Sequence, residues 1–450
     1  MEVSLMEMLD ARERRAHRQL QLLQQYGTPL VCFTMNIAGP MKNSTLIQRG
    51  FDMGKQLLEQ QLMVAKAKIL HFEEIREKTG NEAIYVLDCN ALTAKQAAVI
   101  IEDHSEAGRL FDMDVLRPDG SKVDRQELNL EARKCLLCNG IAHNCARSRT
   151  HTVVQLQERT EVLLEAALAH YDAKRTAQLA CQALLYEVAV TPKPGLVDRA
   201  NSGSHTDMDF FTFQASAAAL WPYFEACAQI GIATRNHSPE ETFARLRVPG
   251  MMAEGEMLRA TDGVNTHKGA IFSLGILCAA LGRMGWEYAD KPQWLLYECS
   301  QMTAGLVEKD FSGLTAETAK TAGQKLYLRH GITGVRGQAE AGFPAVLKVG
   351  LPKLEEGLSR GLSLNDAGCA ALLAMLAATV DTNFISRSDY ETQQRIALET
   401  AILLQRTPFP EDTVLKQMDA DFIEKNLSPG GTADLLAMTY FLHFLKQNVK

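Results

Sequence analysis

Two hydrophobic rhythms divide this chain, and a single layer of structure cannot satisfy both. Up to about residue 150, β-branched and aromatic runs of strand length, Pro29 to Ile37 (PLVCFTMNI) and Ala83 to Cys89 (AIYVLDC), alternate with helical stretches such as Leu5 to Gln25. From about Thr152 the strand signal fades and long Ala- and Leu-rich segments take over, with Leu179, Ala183 and Val188 on one helix face. A chain of 450 residues also exceeds what one core usually serves. The expectation is a multidomain protein, with an α/β domain over residues 1–168 followed by an all-α domain over 169–450. No Pro, Gly or Ser linker marks the boundary, which places it in helical sequence between about 160 and 175. Within the first part, Leu110 to Leu116, then RPDGSK, then Val123 to Leu128 predicts a hairpin closed by Pro118-Asp119-Gly120.

Charge and patterning narrow the function classes. A formal net charge of −7 and a pI of about 5.9 argue against a surface built for nucleic acid. The N-terminal MEVSLMEMLDARERRAHRQL is charged and amphipathic, without the apolar core of a signal peptide. The longest weakly polar runs, Gly269 to Gly282 and Ala367 to Val380, have about 14 residues, short of the roughly 18 that a spanning helix needs. They are read as buried helices, and the protein as cytoplasmic with no membrane partner. Seven of the ten cysteines (Cys32, Cys89, Cys181, Cys227, Cys278, Cys299 and Cys369) lie in largely apolar surroundings and are read as reduced core residues.

The polar motifs collect at loops. Glu187 to Asp209 (EVAVTPKPGLVDRANSGSHTDMD) packs Lys193, Asp198, Arg199, His205, Asp207 and Asp209 into a segment broken by Pro and Gly. Such a segment is either the lip of an active site or a solvated connection between helices. Three Gly-bearing loops precede apolar stretches: GVNTHKGAIFSLGIL from Gly263, HGITGVRGQAEAGFPAVL from His330 and LSPGGTADLLA from Leu427. A Gly-rich entry to a helix offers free N–H groups and the positive end of the dipole, which suits a polyanion. Asn265, His267 and Lys268 stand at one such entry, Arg336 at another, and Gly430 and Gly431 at the third, where Ser428, Thr432 and Asp434 also match ordinary capping. A lysine at a helix N-terminus opposes the dipole, so Lys268 calls for an anion beside it. Asp381, at the end of an apolar helix, calls for a cation by the same reasoning.

In the first part, Asp112 and Asp114 share one face of a strand while Phe111, Met113 and Val115 take the other. Paired carboxylates suit a Mg²⁺ carried by a polyphosphate, and equally a solvent-facing strand. Lys42 in AGPMKNS offers a cation over phosphate unless Gly39-Pro40 is an ordinary turn; Arg109 and His104 are further candidates. Cys135, Cys138, Cys145 and His151 form a four-ligand set whose types suit tetrahedral Zn²⁺, with free thiols in a loop as the alternative.

These same segments carry a resemblance. FTMNIAGPMKNS, HSEAGRLFDMDVLRPDG and RKCLLCNGIAHNCARSRTH resemble the citrate lyase holo-acyl-carrier-protein synthases, the apo-citrate lyase phosphoribosyl-dephospho-CoA transferases. EVAVTPKPGLVDRANSGSHTDMDFFTF, GVNTHKGAIFSLGIL, HGITGVRGQAEAGFP, DTNFISR and LSPGGTADLLA are similar to triphosphoribosyl-dephospho-CoA synthases. Together they imply a fusion of the enzymes that make and attach the citrate lyase prosthetic group. The C-terminal part would join ATP to 3′-dephospho-CoA with release of adenine. The N-terminal part would transfer the product to a serine of the acyl carrier (gamma) subunit with release of diphosphate. The resemblance implies Asp198, His205, Asp207 and Asp209 around the glycosyl step, Lys193, Lys268 and Arg336 on the triphosphate, and Lys42 and Arg109 on the departing diphosphate. Asp112 and Asp114 would hold Mg²⁺, and they are similar to the paired acids of nucleotidyltransferases, an analogy of fold. Two alternatives stand beside this: a malonate decarboxylase carrier as acceptor, or an N-terminal Cys/His docking module without transferase activity.

Overall fold

The computed structural model describes residues 2–138 and 140–448. The chain divides between Tyr171 and Asp172 into two compact units.

The first unit is built on a four-stranded antiparallel sheet. Its strands are β1 (Leu30–Met35), β2 (Lys68–Glu77), β3 (Gly80–Asp88) and β4 (Phe111–Leu116), in the order β2-β3-β1-β4. Helices α1 (Leu5–Tyr26), α2 (Thr45–Val64) and α3 (Ala91–His104) accompany it. Leu22 and Leu23 of α1 pack on Leu30, Cys32, Ile84 and Val86 on one face. The opposite face, Val31, Phe33, Tyr85, Met113 and Val115, packs against Phe51, Leu58 and Leu62 of α2 and Ala94, Ala97 and Ile101 of α3. The period-two alternation of β1 is therefore an alternation between two different helical layers, whereas β4 buries Phe111, Met113 and Val115 on one face and leaves Asp112 and Asp114 half-exposed on the other.

Three local expectations are corrected. The hairpin stops short: a turn returns Val123 N–H to Val115 O at 2.9 Å, but Asp124 then caps a 3-10 turn over Arg125–Leu128 with Glu127 completing a capping box, which takes the backbone out of the sheet. Strand β2 was not foreseen, because KILHFEEIRE interleaves charge with apolar residues. It is an edge strand, and its charges pair sideways: Glu73 with Arg18, Glu74 with Lys55 and Arg76 with Asp52. Cys89 is half-exposed, while the other six cysteines read as core residues are buried and all ten are free.

The second unit is helical. It begins within α5 (Val153–Ala189), the helix that the first unit enters after a short α4 (Ala142–Ser148). There follow α6 (Phe210–Ala219), α7 (Trp221–Ala233), α8 (Pro239–Ala260), α9 (Lys268–Met284), α10 (Pro292–Met302), α11 (Leu306–Phe311), α12 (Ala322–His330) and α13 (Gly334–Glu340). The last are α14 (Leu351–Ser359), α15 (Leu364–Ala378), α16 (Thr382–Arg387), α17 (Tyr390–Arg406), α18 (Asp412–Glu424) and α19 (Gly430–Asn448). Helices α9, α15 and α19 are apolar nearly all round and form the middle of the core, with Leu274, Leu277, Leu372, Met375, Leu436 and Phe441 almost inaccessible. Among the described residues no helix is long and apolar enough to cross a membrane.

Candidate active sites

In the second unit the entry turns of α9, α13, α16 and α19 line one cavity of about 370 Å³. Its wall includes Glu187, Lys193, His205, Asn265, His267, Lys268, Gln338, Arg387, Gly430, Gly431 and Asp434. Four separate stretches of sequence thus converge, because each apolar helix must begin somewhere at the surface of the core and these begin together.

The charged loop after α5 is held by buried acids. Asp198 Oδ2 accepts from the Lys193 N–H at 3.0 Å, and Oδ1 from the N–H groups of Ala200 and Asn201 at 2.6 and 3.1 Å. Asp419 of α18, not singled out from sequence, accepts from the Gly195 N–H at 2.9 Å and from Asn201 Nδ2 at 2.8 Å. Gly195 has φ +71°, and a Cβ there would lie 2.1 Å from Leu427 O, so only glycine lets the two loops meet. The loop then aims Lys193 inward, where its ammonium pairs with Glu187; both side chains are at most 4% exposed. Burial pushes the Glu187 carboxyl up, with Lys193 opposing.

His205 is fixed between two partners. An arginine only donates, so His205 Nδ1 accepts from Arg387 Nη2 at 3.0 Å and Nε2 carries the proton toward Ser428 Oγ at 2.9 Å. Burial, then the Arg387 charge, lowers its proton affinity. Asp434 reaches the first turn of α9: a Cβ on Gly269 would lie 2.0 Å from Asp434 Oδ2, so the glycine makes room for this carboxylate. Burial, followed by the nearby Glu187 and Asp381 charges, raises the Asp434 carboxyl well above the usual range, while the Ala270 N–H opposes.

Several expected residues stand elsewhere. Asp198 is consumed by the loop, and Asp209 caps α6 with Thr212 N–H at 2.8 Å, a contact that lowers its carboxyl. Asp207 is largely exposed, 3.9 Å from His205 Nδ1. Arg336 turns away from the cavity to Asp310 at 2.6 Å, and it is Gly334, Val335 and Gln338 of α13 that line the wall. The anion called for beside Lys268 is supplied by the protein, since Glu254 Oε2 lies 2.7 Å from its Nζ. Asp381 needs no cation: it caps α16 through the N–H groups of Asn383 and Phe384 and accepts twice more from Thr432. Glu187 and Asp434, which do line the cavity, carried no sequence signal distinguishing them from a helix-end acid and a normal first-turn acid.

In the first unit Asp112 and Asp114 share one face of β4, both half-exposed, and Phe111, Met113 and Val115 are buried on the other. Burial, then the Asp114 charge, raises the Asp112 carboxyl. Lys122 Nζ lies 2.5 Å from Asp114 Oδ1, and Arg133 Nη1 lies 3.8 Å from Asp112 Oδ1. Thr34 of β1 is in register with Asp112 on one side and Glu82 of β3 on the other, so Glu82 joins the same face; Arg15 of α1 reaches it at 2.8 Å. Glu82 was missed because its nearness is a matter of strand order. Lys42 donates to Ile37 O, and burial, then Arg12, lowers its ammonium. Arg109 donates to Cys135 O at 3.0 Å, so it braces the cysteine loop and not the acids. His104 ends α3 in an exposed position.

Cys135, Cys138, Cys145 and His151 come together with their ligand atoms all within 4.8 Å of one another. Among the described residues His151 Nε2 is buried without a hydrogen-bond partner. Asn139, inside this loop, lies outside the described residues.

Against known proteins, the family profile for ATP:dephospho-CoA triphosphoribosyl transferase (CitG) matches residues 173–450. That for apo-citrate lyase phosphoribosyl-dephospho-CoA transferase (CitX) matches residues 3–167. Protein CitXG of Haemophilus influenzae is 34% identical over 459 aligned residues, covering 98% of this chain and 96% of that protein. The chain belongs to the CitXG family. Protein CitXG of Leuconostoc mesenteroides subsp. cremoris is 32% identical over 458 aligned residues, covering 98% and 97%. As a member of this family the chain is a transferase, with a CitX part and a CitG part, serving synthesis of the citrate lyase prosthetic group.

Proposed function

We propose that residues 169–450 form 2′-(5″-triphosphoribosyl)-3′-dephospho-CoA from ATP and 3′-dephospho-CoA, and that residues 1–168 pass it to a serine of the citrate lyase acyl carrier protein with loss of diphosphate. The observation that carries the first half is the cavity, whose wall brings Lys193, Lys268 and Arg387 together with Glu187 and Asp434. In the reaction the C1′–N9 bond of ATP breaks with its electron pair on adenine, and a bond forms from C1′ to the 2′-oxygen of dephospho-CoA. The proton lost by that hydroxyl is the one the released base carries away. An oxocarbenium-like centre at C1′ asks for a carboxylate beside it, and the hydroxyl asks for a base. With Asp198 and Asp209 committed to the backbone, Asp434 and Glu187 take these roles, Asp434 being poised for proton transfer by its raised carboxyl. Asn265 and the N–H groups at Gly430 and Gly431, which line the cavity, would bind the triphosphate.

In the N-terminal half, the paired acids on β4 fit a Mg²⁺ brought by the triphosphate: the Asp112 carboxyl is raised by its neighbour, and a divalent cation relieves that repulsion. Bound there, the ion would neutralise charge on the departing diphosphate. The carrier serine oxygen attacks the α-phosphorus in line as the bond to diphosphate breaks, the serine proton leaves with the diphosphate, and Lys122 and Arg133 supply positive charge nearby. The arrangement suits a nucleotidyltransferase-like fold. Incubation of the full-length protein with ATP, dephospho-CoA, Mg²⁺ and apo carrier should release adenine and raise the carrier's mass by one phosphoribosyl-dephospho-CoA. A carrier of unchanged mass beside free triphosphoribosyl product would refute the second half of this reading, and absence of adenine the first.

The Cys/His cluster is proposed to hold structural Zn²⁺, with the unpartnered His151 Nε2 as the nitrogen ligand. Arg133, just before Cys135, donates to the carbonyls of Gly108, Arg109 and Phe111, which ties this loop to the start of β4. Metal analysis should find about one zinc per chain. Stripping it should unfold the loop, measured as loss of its amide protection, and a zinc-free protein with that protection intact would rule the site out.

A further inference from the structure

Among the buried side-chain polar atoms of the described residues that lack a partner, only His267 Nε2 and Gln338 Oε1 belong to residues lining the cavity. Leaving such buried atoms unpaired is unfavourable, and the two mark a place where a ligand would complete the bonding. Their chemical sense can be worked out. Thr266 Oγ1 donates to Ser216 Oγ at 2.8 Å, and Ser216 Oγ lies 2.7 Å from His267 Nδ1. Where Ser216, accepting from Thr266, spends its own proton on Nδ1, the ring carries its hydrogen on Nε2. Burial, then the Lys193 charge, holds this imidazole's pKa near about 3, so it stays neutral. Both residues line the cavity, His267 with an unpartnered Nε2 and Gln338 with an unpartnered carboxamide oxygen. Phe213 meets the imidazole edge to face at 5.0 Å and keeps the ring from turning.

A donor and an amide together match one edge of adenine, where the N7 acceptor adjoins the N6 amine. We infer that His267 and Gln338 read this edge of ATP, His267 Nε2–H donating to N7 and the Gln338 carbonyl accepting from the N6 amine. The inference rests on the proposed adenine release. It also gives the contact a chemical purpose: as C1′–N9 breaks, negative charge spreads over the imidazole ring of the base onto N7, and a hydrogen bond there strengthens toward the transition state. His267 remains neutral throughout, and the proton that the free base gains is still the one lost by the attacking hydroxyl.

The test uses the full-length protein with dephospho-CoA and follows release of base from ATP and from 7-deaza-ATP, in which a C–H replaces N7. The native protein should use the analogue about 10²-fold less efficiently in kcat/KM, the loss of one buried hydrogen bond. His267→Asn should be slow with ATP and bring the two nucleotides to within a few-fold of each other. Ser216→Ala, a smaller change that removes the hydroxyl fixing the tautomer, should narrow the same ratio with the fold retained. Gln338→Leu should leave the 7-deaza ratio unchanged and weaken rejection of ITP, whose 6-oxo group replaces the amine. Equal use of ATP and 7-deaza-ATP by the native protein, or an unchanged ratio in folded His267→Asn and Ser216→Ala, overturns the inference while adenine release itself stands. No adenine from ATP in the native protein overturns both.

Discussion

Replacing Asp114 by Asn is expected to abolish attachment to the carrier protein while leaving adenine release at its native rate. The substitution keeps the side-chain shape and removes the charge that, with Asp112, would hold the metal-bearing triphosphate. Loss of one such electrostatic contact in the transition state should lower transfer by at least about 10²–10³-fold. Stability should change little, because Asp114 and its partner Lys122 are 36% and 57% exposed and an exposed ion pair contributes little to folding. Intact mass of the carrier reads the transfer, and chromatography of adenine and of the accumulated triphosphoribosyl product reads the first step. Glu82→Gln should reduce transfer less, since Glu82 faces the acids from two strands away, across Thr34. A parallel fall of adenine release in folded Asp114→Asn would contradict two separate centres.

The pairing of Asp112 with Asp114 could be read from sequence because a strand has period two and the apolar partners Phe111, Met113 and Val115 reveal its phase. The helix entries at Lys268, Gly334 and Gly430 were legible for a similar reason, since Gly-rich turns before apolar runs have few other readings. What the sequence leaves open is the direction of each side chain at those entries. Arg336 lies on the same short helix as Gln338, two residues away, and the helical turn sends one to Asp310 and the other to the cavity wall. Lys268 does stand at a helix N-terminus, but the compensating charge comes from Glu254 on α8, fourteen residues earlier and one helix away. The acids show the limit most plainly. Asp198, Asp209 and Asp381 are conspicuous in loops because they bind loop backbone, and those bonds occupy their oxygens. Glu187 and Asp434 sit within helices and are inconspicuous, and only the packing of α5, α9 and α19 brings them together. The missed strand β2 has the same origin: its neighbours on α1 and α2 neutralise charges that, read along the chain alone, look incompatible with a sheet.

The buried Lys193–Glu187 pair should give the largest stability effect in the helical part. Both groups are almost fully removed from water, so Lys193→Met alone leaves an uncompensated carboxylate and should destabilise the fold by about 3–5 kcal/mol. At roughly 2–4 °C per kcal/mol for a domain of this size, the unfolding midpoint should fall by about 10 °C. The double variant Lys193→Met with Glu187→Leu replaces both charges by apolar groups of similar volume. It should recover most of that loss, because the desolvation of the pair offsets much of its attraction. Adenine release should not recover with it. Were the pair only a structural fastening for the loop that Asp198 and Asp419 already hold, the double variant would regain activity together with stability. A stable and inactive double variant, with its midpoint read by calorimetry and its adenine by chromatography, places the two charges in the reaction; regained activity would return the carboxylate role to Asp434 alone.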